Sequence, residues 1–219
     1  MRSTRTLPLA LLGAALLAVT ACGPGDAEDT GEAAGAAESA AQAEPAQDLP
    51  CFMQAESMAE AQDRPSPLQT TTIALGGQEA VLCYGAPSAR DRAIMGELVP
   101  FDTPWRMGAN EATAIHLPFG AQIGDVTVEP GAYSLWAVPG PDEWEIHVNG
   151  TVERWGIPIN DEVQADDVGT FTVTPSPTDA PVETLTYRWQ PEGEDMGHLV
   201  MEWEDTRVEI PIHAAGMQM

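Results

Sequence analysis

Three successive stretches near the end of the chain alternate apolar and polar residues with period two: Leu185, Tyr187 and Trp189; Leu199, Met201 and Trp203; Val208, Ile210 and Ile212. In an extended strand, alternate side chains leave on opposite faces, so each stretch presents one apolar face to a core and one polar face away from it. No helical period fits these residues. Earlier segments read the same way. Leu68 to Leu75 and Glu79 to Tyr84 flank Gly76-Gly77, which reads as a hairpin turn. Ala112 to Leu117 alternates, and Tyr133 to Val138 and Trp144 to Val148 flank the turn residues Pro139-Gly140-Pro141-Asp142. Phe171 and Val173 alternate with threonines, and Glu204-Asp205-Thr206 reads as a turn. Many short strands with Gly/Pro turns and no long helical pattern predict an all-β domain, a single antiparallel β-sandwich of jelly-roll-like or immunoglobulin-like form. Residues 64–213 span about 150 positions, enough for one core that buries roughly 70% of the unfolded surface. Asn160 to Asp167 is acidic and poorly patterned and reads as a surface loop.

What precedes the domain has a different composition. Arg2 and Arg5 are followed by an almost wholly Leu, Ala and Gly run from Leu7 to Val19, then Val19-Thr20-Ala21-Cys22. This has the form of a lipoprotein signal peptide over 1–21, with Cys22 as the acylated first residue of the mature protein. The apolar run is shorter than the roughly 20 residues that span a bilayer. Acyl chains on Cys22 would hold the protein on a membrane, extracytoplasmic and anchored to the cell envelope. Gly23 rather than Asp follows the cysteine, which favours the outer membrane in a Gram-negative cell. Residues 22–50 form an acidic tether with no aromatic and no basic residue, too polar to order itself. Residues 51–63 read as a linker or short helix, with Phe52, Met53, Met58 and Ala59 near helical spacing, and 214–219 as a tail. With Cys22 assigned to lipid, Cys51 and Cys83 remain an even pair in an oxidising compartment and are expected to form a disulfide.

The formal charge is −25, from nine arginines, no lysine and 34 acids. Loss of Arg2 and Arg5 with the leader takes it from −25 to −27. Such a field repels phosphate backbones, so no nucleic-acid partner is expected. No His-x-x-x-His pair, acidic cation loop, Gly-x-Ser-x-Gly elbow or Gly-rich phosphate loop occurs, and the sequence implies no metal and no cofactor. The four histidines, His116, His147, His198 and His213, lie within or beside strand patterns and are expected to be structural.

Against this acidity, Arg90, Arg92 and Arg106 fall within 17 residues. Two arrangements answer to that. The guanidinium groups line a pocket for an anionic group, or they pair internally with Glu97, Asp102 or Glu111 and brace a long loop. In the second, Arg106 pairs with Glu111 or another acid. Gly108 and Asn110 suit a tight connection either way. Of six tryptophans, Trp189 and Trp203 lie on apolar strand faces, whereas Trp105 and Trp155 lie in irregular segments and are the better candidates for an exposed ring. The ligand-binding candidates are therefore Arg90, Arg92, Trp105, Arg106, Asn110, Glu111 and Trp155; no catalytic residue is assigned. The expected role is a non-catalytic module that binds a small molecule, a glycan or a protein. The alternative is an enzyme of unrecognised mechanism acting on an envelope substrate through the Arg90–Glu111 region.

The string YGAPSARDRAIMGELVPFDTPWRMGANEAT (Tyr84 to Thr113) is followed by Pro130-Gly131-Ala132-Tyr133-Ser134-Leu135, then Glu143-Trp144-Glu145-Ile146, Trp155-Gly156 and Leu199-Val200-Met201-Glu202-Trp203. Over about residues 65–212 these resemble the bacterial domain-of-unknown-function family numbered 2911. The resemblance implies a secreted or lipid-anchored single β-domain and supplies no reaction. Asp91 stands where a Gly or Lys is common, and Asp102-Thr103-Pro104 replaces the usual Gly-Lys-Val.

Overall fold

The computed structural model describes residues 51–215. The expected signal peptide, Cys22, the expected tether to residue 50 and the residues beyond 215 lie outside the described residues.

The fold is an all-β sandwich of two antiparallel sheets. In chain order the elements are α1 (Met58–Gln62), β1 (Leu68–Leu75), β2 (Gln78–Gly85), β3 (Ala109–Leu117), β4 (Ala121–Ile123), β5 (Val126–Val128), β6 (Gly131–Pro139), β7 (Trp144–Asn149), α2 (Asp161–Gln164), β8 (Asp167–Val173), β9 (Ser176–Pro191) and β10 (Met196–Ala214). The first sheet runs β1-β2-β3-β6-β7-β8 and the second β5-β4-β10-β9. The first hairpin turns through Gly76 and Gly77, both at positive φ, as a two-residue turn with the hand of the flanking strands requires. The core lies between the sheets. It takes Ile73, Leu82, Ile115, Leu135 and Ile146 from the first, and Leu185, Tyr187, Leu199, Met201, Trp203, Val208, Ile210 and Ile212 from the second. The alternation in the last three apolar stretches thus points inward as expected.

The structure departs from the sequence pattern in five places. Glu204-Asp205-Thr206 is not a turn: β10 runs unbroken for 19 residues, and Glu204, at φ 52°, marks a pair of register shifts against β9. A bulge reads like a turn because both interrupt the period and gather polar residues. Second, β9 begins at Ser176, well before the alternation becomes visible at Leu185, because its first half is largely exposed. Third, β4 and β5 are three-residue strands, too short to show any period. Fourth, Asn160–Asp167 is not all loop: Asn160 caps α2 by accepting from Val163 N at 3.2 Å, and Asp167 opens β8. Fifth, only Met58–Gln62 of the 51–62 stretch is helical, capped by Ser57, and its buried residue is Ala61 while Met58 is exposed.

The outer face of the first sheet is covered, and this positions the site. Period two places Leu82 and Tyr84 in the core and Val81 and Cys83 on the opposite face. There the segment 51–64 packs as a strap. Cys51 and Ala61 form a second apolar cluster with Leu68 and Cys83, and Cys51 is disulfide-bonded to Cys83. Farther along, Ala114, Ser134, Asn149 and Asp167 fall in one row across β3, β6, β7 and β8. Ala112, Ala114, Ser134, Trp136 and Asn149 are all buried although they face away from the core. That is why β3 is buried along almost its whole length instead of on alternate residues.

Candidate functional site

The connection from β2 to β3 carries most of the sequence candidates, and the fold divides them. Arg90 and Arg92 brace the loop against itself and against β9. Ala89 N donates to Glu183 O, and Arg90 N to Glu183 Oε1. Arg92 donates from Nε to Ala89 O (2.8 Å) and from Nη2 to Ser88 O (2.9 Å); Arg90 Nη2 donates to Pro65 O at 3.3 Å. Neither pairs with Glu97 or Asp102. Trp105 turns inward. Its backbone bridges to Ala137, and its ring stacks on Trp203 (centroids 6.1 Å, 19°) and meets Trp144 edge-on (5.8 Å, 87°). It is partly buried and packs against the core.

Arg106, Asn110, Glu111 and Trp155 do come together. Met107 and Asn110 adopt left-handed backbone, at φ 54° and 63°. Such conformations are costly outside glycine and are held here by tertiary bonds. Met107 O accepts from Tyr187 Oη (2.8 Å) and Thr113 Oγ1 (3.0 Å), and Asn110 Nδ2 donates to Ser66 O (2.8 Å). Gly156 is the meeting point. Its N donates to Asn110 O at 2.8 Å, Glu111 bridges to Trp155, and a Cβ on Gly156 would overlap Arg106 Cδ and lie 2.8 Å from Asn110 O and 3.1 Å from Glu111 O.

The expected Arg106–Glu111 pair does not form. Glu111 is taken by the strap: Arg64 Nη1 donates to Oε1 at 2.8 Å and to Oε2 at 3.1 Å, and Gln54 N donates to Oε1 at 2.7 Å. The Glu111 side chain is almost fully buried. Burial pushes its pKa up, but the hydrogen bonds from Arg64 and Gln54 and the Arg64 charge outweigh burial and hold it below the ordinary carboxylate value. Arg106 has no acid partner among the described residues. Its Nε is buried with no hydrogen-bond partner, and burial lowers its pKa with no acid to offset it. Every other arginine among the described residues has an acceptor. Arg188 and Arg207 share Glu202, Arg207 also bonds Glu209, and Arg154 donates to Gly156 O (3.1 Å) and Ser134 Oγ (3.4 Å).

Arg154 leads into a polar network that no sequence pattern announced. Asp167 Oδ1 accepts from Trp136 Nε1 (2.9 Å) and Asn149 Nδ2 (2.8 Å), and Asp167 Oδ2 meets His147 Nδ1 at 2.9 Å. His147 Nε2 meets Glu145 Oε1 at 2.8 Å, and the imidazole stacks on Trp136 (centroids 3.5 Å, 14°). His147 thus has a carboxylate at each ring nitrogen and is held on both sides, as the structural histidine its strand position implied. His116 is not, because its Nε2 is buried without a partner and burial lowers its pKa. The one visible signal for this network was a run of small residues, Ala112, Ala114, Ala132 and Ser134, on a face that should have been polar.

Two shallow depressions occur elsewhere. One of about 260 Å³ is lined by Phe101, Trp144, Pro141, Pro177 and Asp205 among others, and one of about 410 Å³ lies beside the Gly77 turn. Neither includes Arg106 or Glu111. Among the described residues no three His, Cys, Asp or Glu side chains converge to hold a metal ion. No helix among the described residues is long and apolar enough to cross a membrane.

No curated protein and no solved structure matches the chain. A family model described as a protein of unknown function matches residues 66–212, from just before β1 to near the end of β10. With well over half of its length matched, the chain belongs to that family, DUF2911.

Proposed function

We propose that the chain is a lipid-anchored, non-catalytic binding module of the cell envelope, whose binding face is the covered side of the first sheet around Arg106. One observation carries the binding reading. In a chain of 34 acids and nine bases, a half-buried arginine has a buried Nε without an acceptor and no acid partner among the described residues, while Glu111 is engaged elsewhere. A buried charge without a counter-charge is costly, and a bound partner that supplies one removes the cost. The anchor rests on the leader and Cys22. The net charge argues against nucleic-acid partners.

The catalytic alternative draws less support. The acid beside Arg106 is Glu111, and three hydrogen bonds hold it ionised, which suits fixing a loop better than trading protons. Arg90 and Arg92 spend their donors on backbone carbonyls of the same loop and of the strap's end.

A panel of small carboxylates, phosphate esters and neutral sugars, screened by ligand-observed NMR against wild type and Arg106→Gln, tests the binding role. Binders that lose contact in the variant are expected. A panel in which nothing binds, or in which every binder holds the variant equally well, overturns the reading. Metabolic labelling with palmitate tests the anchor: label is expected in wild type and absent in Cys22→Ala, and equal labelling refutes it.

A further inference from the structure

We propose that the depression over Trp144 is a second binding site, for a small organic cation: an ammonium group carried on an apolar body. It includes neither Arg106 nor Glu111 and does not rest on the role argued for that face. Four segments far apart in the chain meet there: the loop 95–101, the β6–β7 turn at 140–141, the junction of β8 and β9 at 175–177, and residues 205–206 of β10. With Trp144 they outline about 260 Å³.

The walls are fixed before any ligand arrives. Asp102 N donates to Pro139 O at 2.8 Å, which ties the loop to the end of β6. Ile94 N donates to Glu204 Oε2 at 2.8 Å, and Thr178 Oγ1 donates to Glu204 O at 3.1 Å, which ties the loop and β9 to β10. Glu204 is thereby spent on the frame, and its neighbour Asp205 is left exposed. Phe101 is 36% exposed. Its ring lies against Gly96, where a Cβ would come within 2.9 Å of it. A large apolar ring is thus held in place with much of its surface in solvent, over a buried floor of Trp144.

The ligand class follows from what these walls offer. Phe101, Met95 and three prolines supply apolar surface. Pro141, Pro175 and Pro177 have no N–H to donate, so the polar groups are weighted toward acceptors. Asp205 is the one charge in the lining. No ion pair among the described residues uses it, and Arg207, two residues on, is held by Glu202 and Glu209. An anion finds no counter-charge here. A neutral sugar brings as many acceptors as donors and meets few donors. An ammonium group has donors alone. It pairs with Asp205 and lies over the Phe101 ring, whose face attracts cations, while its apolar body covers the prolines. The net charge of −25 draws cations to the surface and repels anions.

The experiment follows the backbone amide resonances of the full chain while phenethylamine, its neutral isostere 2-phenylethanol, or the anion 3-phenylpropionate is added at constant ionic strength. Phenethylamine is expected to give saturable shifts confined to Phe101, Gly140, Thr206 and their neighbours, with weaker binding of the alcohol and none of the anion. Asp205→Asn is expected to weaken the amine about three- to fivefold, the scale of an exposed ion pair, and to leave the alcohol unchanged. Phe101→Ala is expected to weaken both. Both side chains are exposed, so neither variant opens the core. No saturable shift with the amine, or shifts scattered over the acidic surface, overturns the site. Alcohol or anion bound as tightly as the amine, or Asp205→Asn binding the amine as wild type does, overturns the ligand class. Phe101→Ala with wild-type affinity for the amine places the cation elsewhere and overturns the site as well.

Discussion

Replacing both Cys51 and Cys83 by alanine should lower the stability of the whole domain, by an amount that follows from the chain the bond closes. The two cysteines are 32 residues apart, and that loop contains the strap, α1 and β1 with the first hairpin. In the chain-entropy account, cross-linking a loop of this length removes about 12 cal/mol/K from the unfolded ensemble, or about 3.7 kcal/mol at 25 °C. For a cooperative unit of roughly 165 residues, an unfolding entropy of about 2.1 cal/mol/K per residue turns that loss into a fall of about 10 °C in Tm. Removing both cysteines leaves no unpaired thiol in the buried cluster, and alanine introduces no polar atom beside Leu68 and Ala61. Thermal melts followed by circular dichroism, on the double variant and on wild type with and without reductant, measure the effect. Two outcomes refute the reasoning. A double variant within about 2 °C of wild type would mean the strap adds nothing to the cooperative unit. A wild-type melt that reductant leaves unchanged would mean the bond is not formed.

Two further outcomes follow. Glu111 is held below its ordinary value of 4.5, so its ion pair contributes stability that is fully present above that pH and disappears as pH falls through the depressed value. Glu111→Gln should cost about 1–3 kcal/mol at neutral pH and flatten that part of the acid limb; an unchanged urea midpoint from pH 7 to pH 3 relative to wild type would contradict this. Gly156→Ala should push the Arg106 stem aside and strain the contact with Asn110 O, costing about 1–3 kcal/mol and moving the Arg106 Nε–H resonance. A crystal structure of the variant with Arg106 in place would remove the argument that only glycine fits against the Arg106 stem.

The inner half of the fold was legible because strand period and burial coincide there. Leu199, Met201 and Trp203 have one face against a core and one toward solvent, so their pattern needs no knowledge of anything distant. The outer face was not legible, for the complementary reason. Ala112, Ala114, Ser134 and Asn149 are buried by segments far away in the chain, and small or polar residues there look like a solvent face. The same cause misdirected the ion pair. Nearness along the chain favoured Arg106 as the partner of Glu111, whereas Arg64 reaches it from 47 residues away because a disulfide brings the strap across. Trp105, in an irregular stretch that suggested exposure, is drawn inward by an isolated bridge to Ala137.

The length of β10 has a consequence for how the molecule comes into being. This one strand pairs with β9 along its first half and with β4 near its end, so the second sheet has no centre until residues 196–214 have been synthesised. A nascent chain halted at residue 195 holds the hairpins of the first sheet with their oily inner side open, since the layer that should lie on them is missing its middle. The order of translation thus leaves this polypeptide exposed to self-association until β10 emerges. A holding chaperone that acts before β10 is made would be of most use to it.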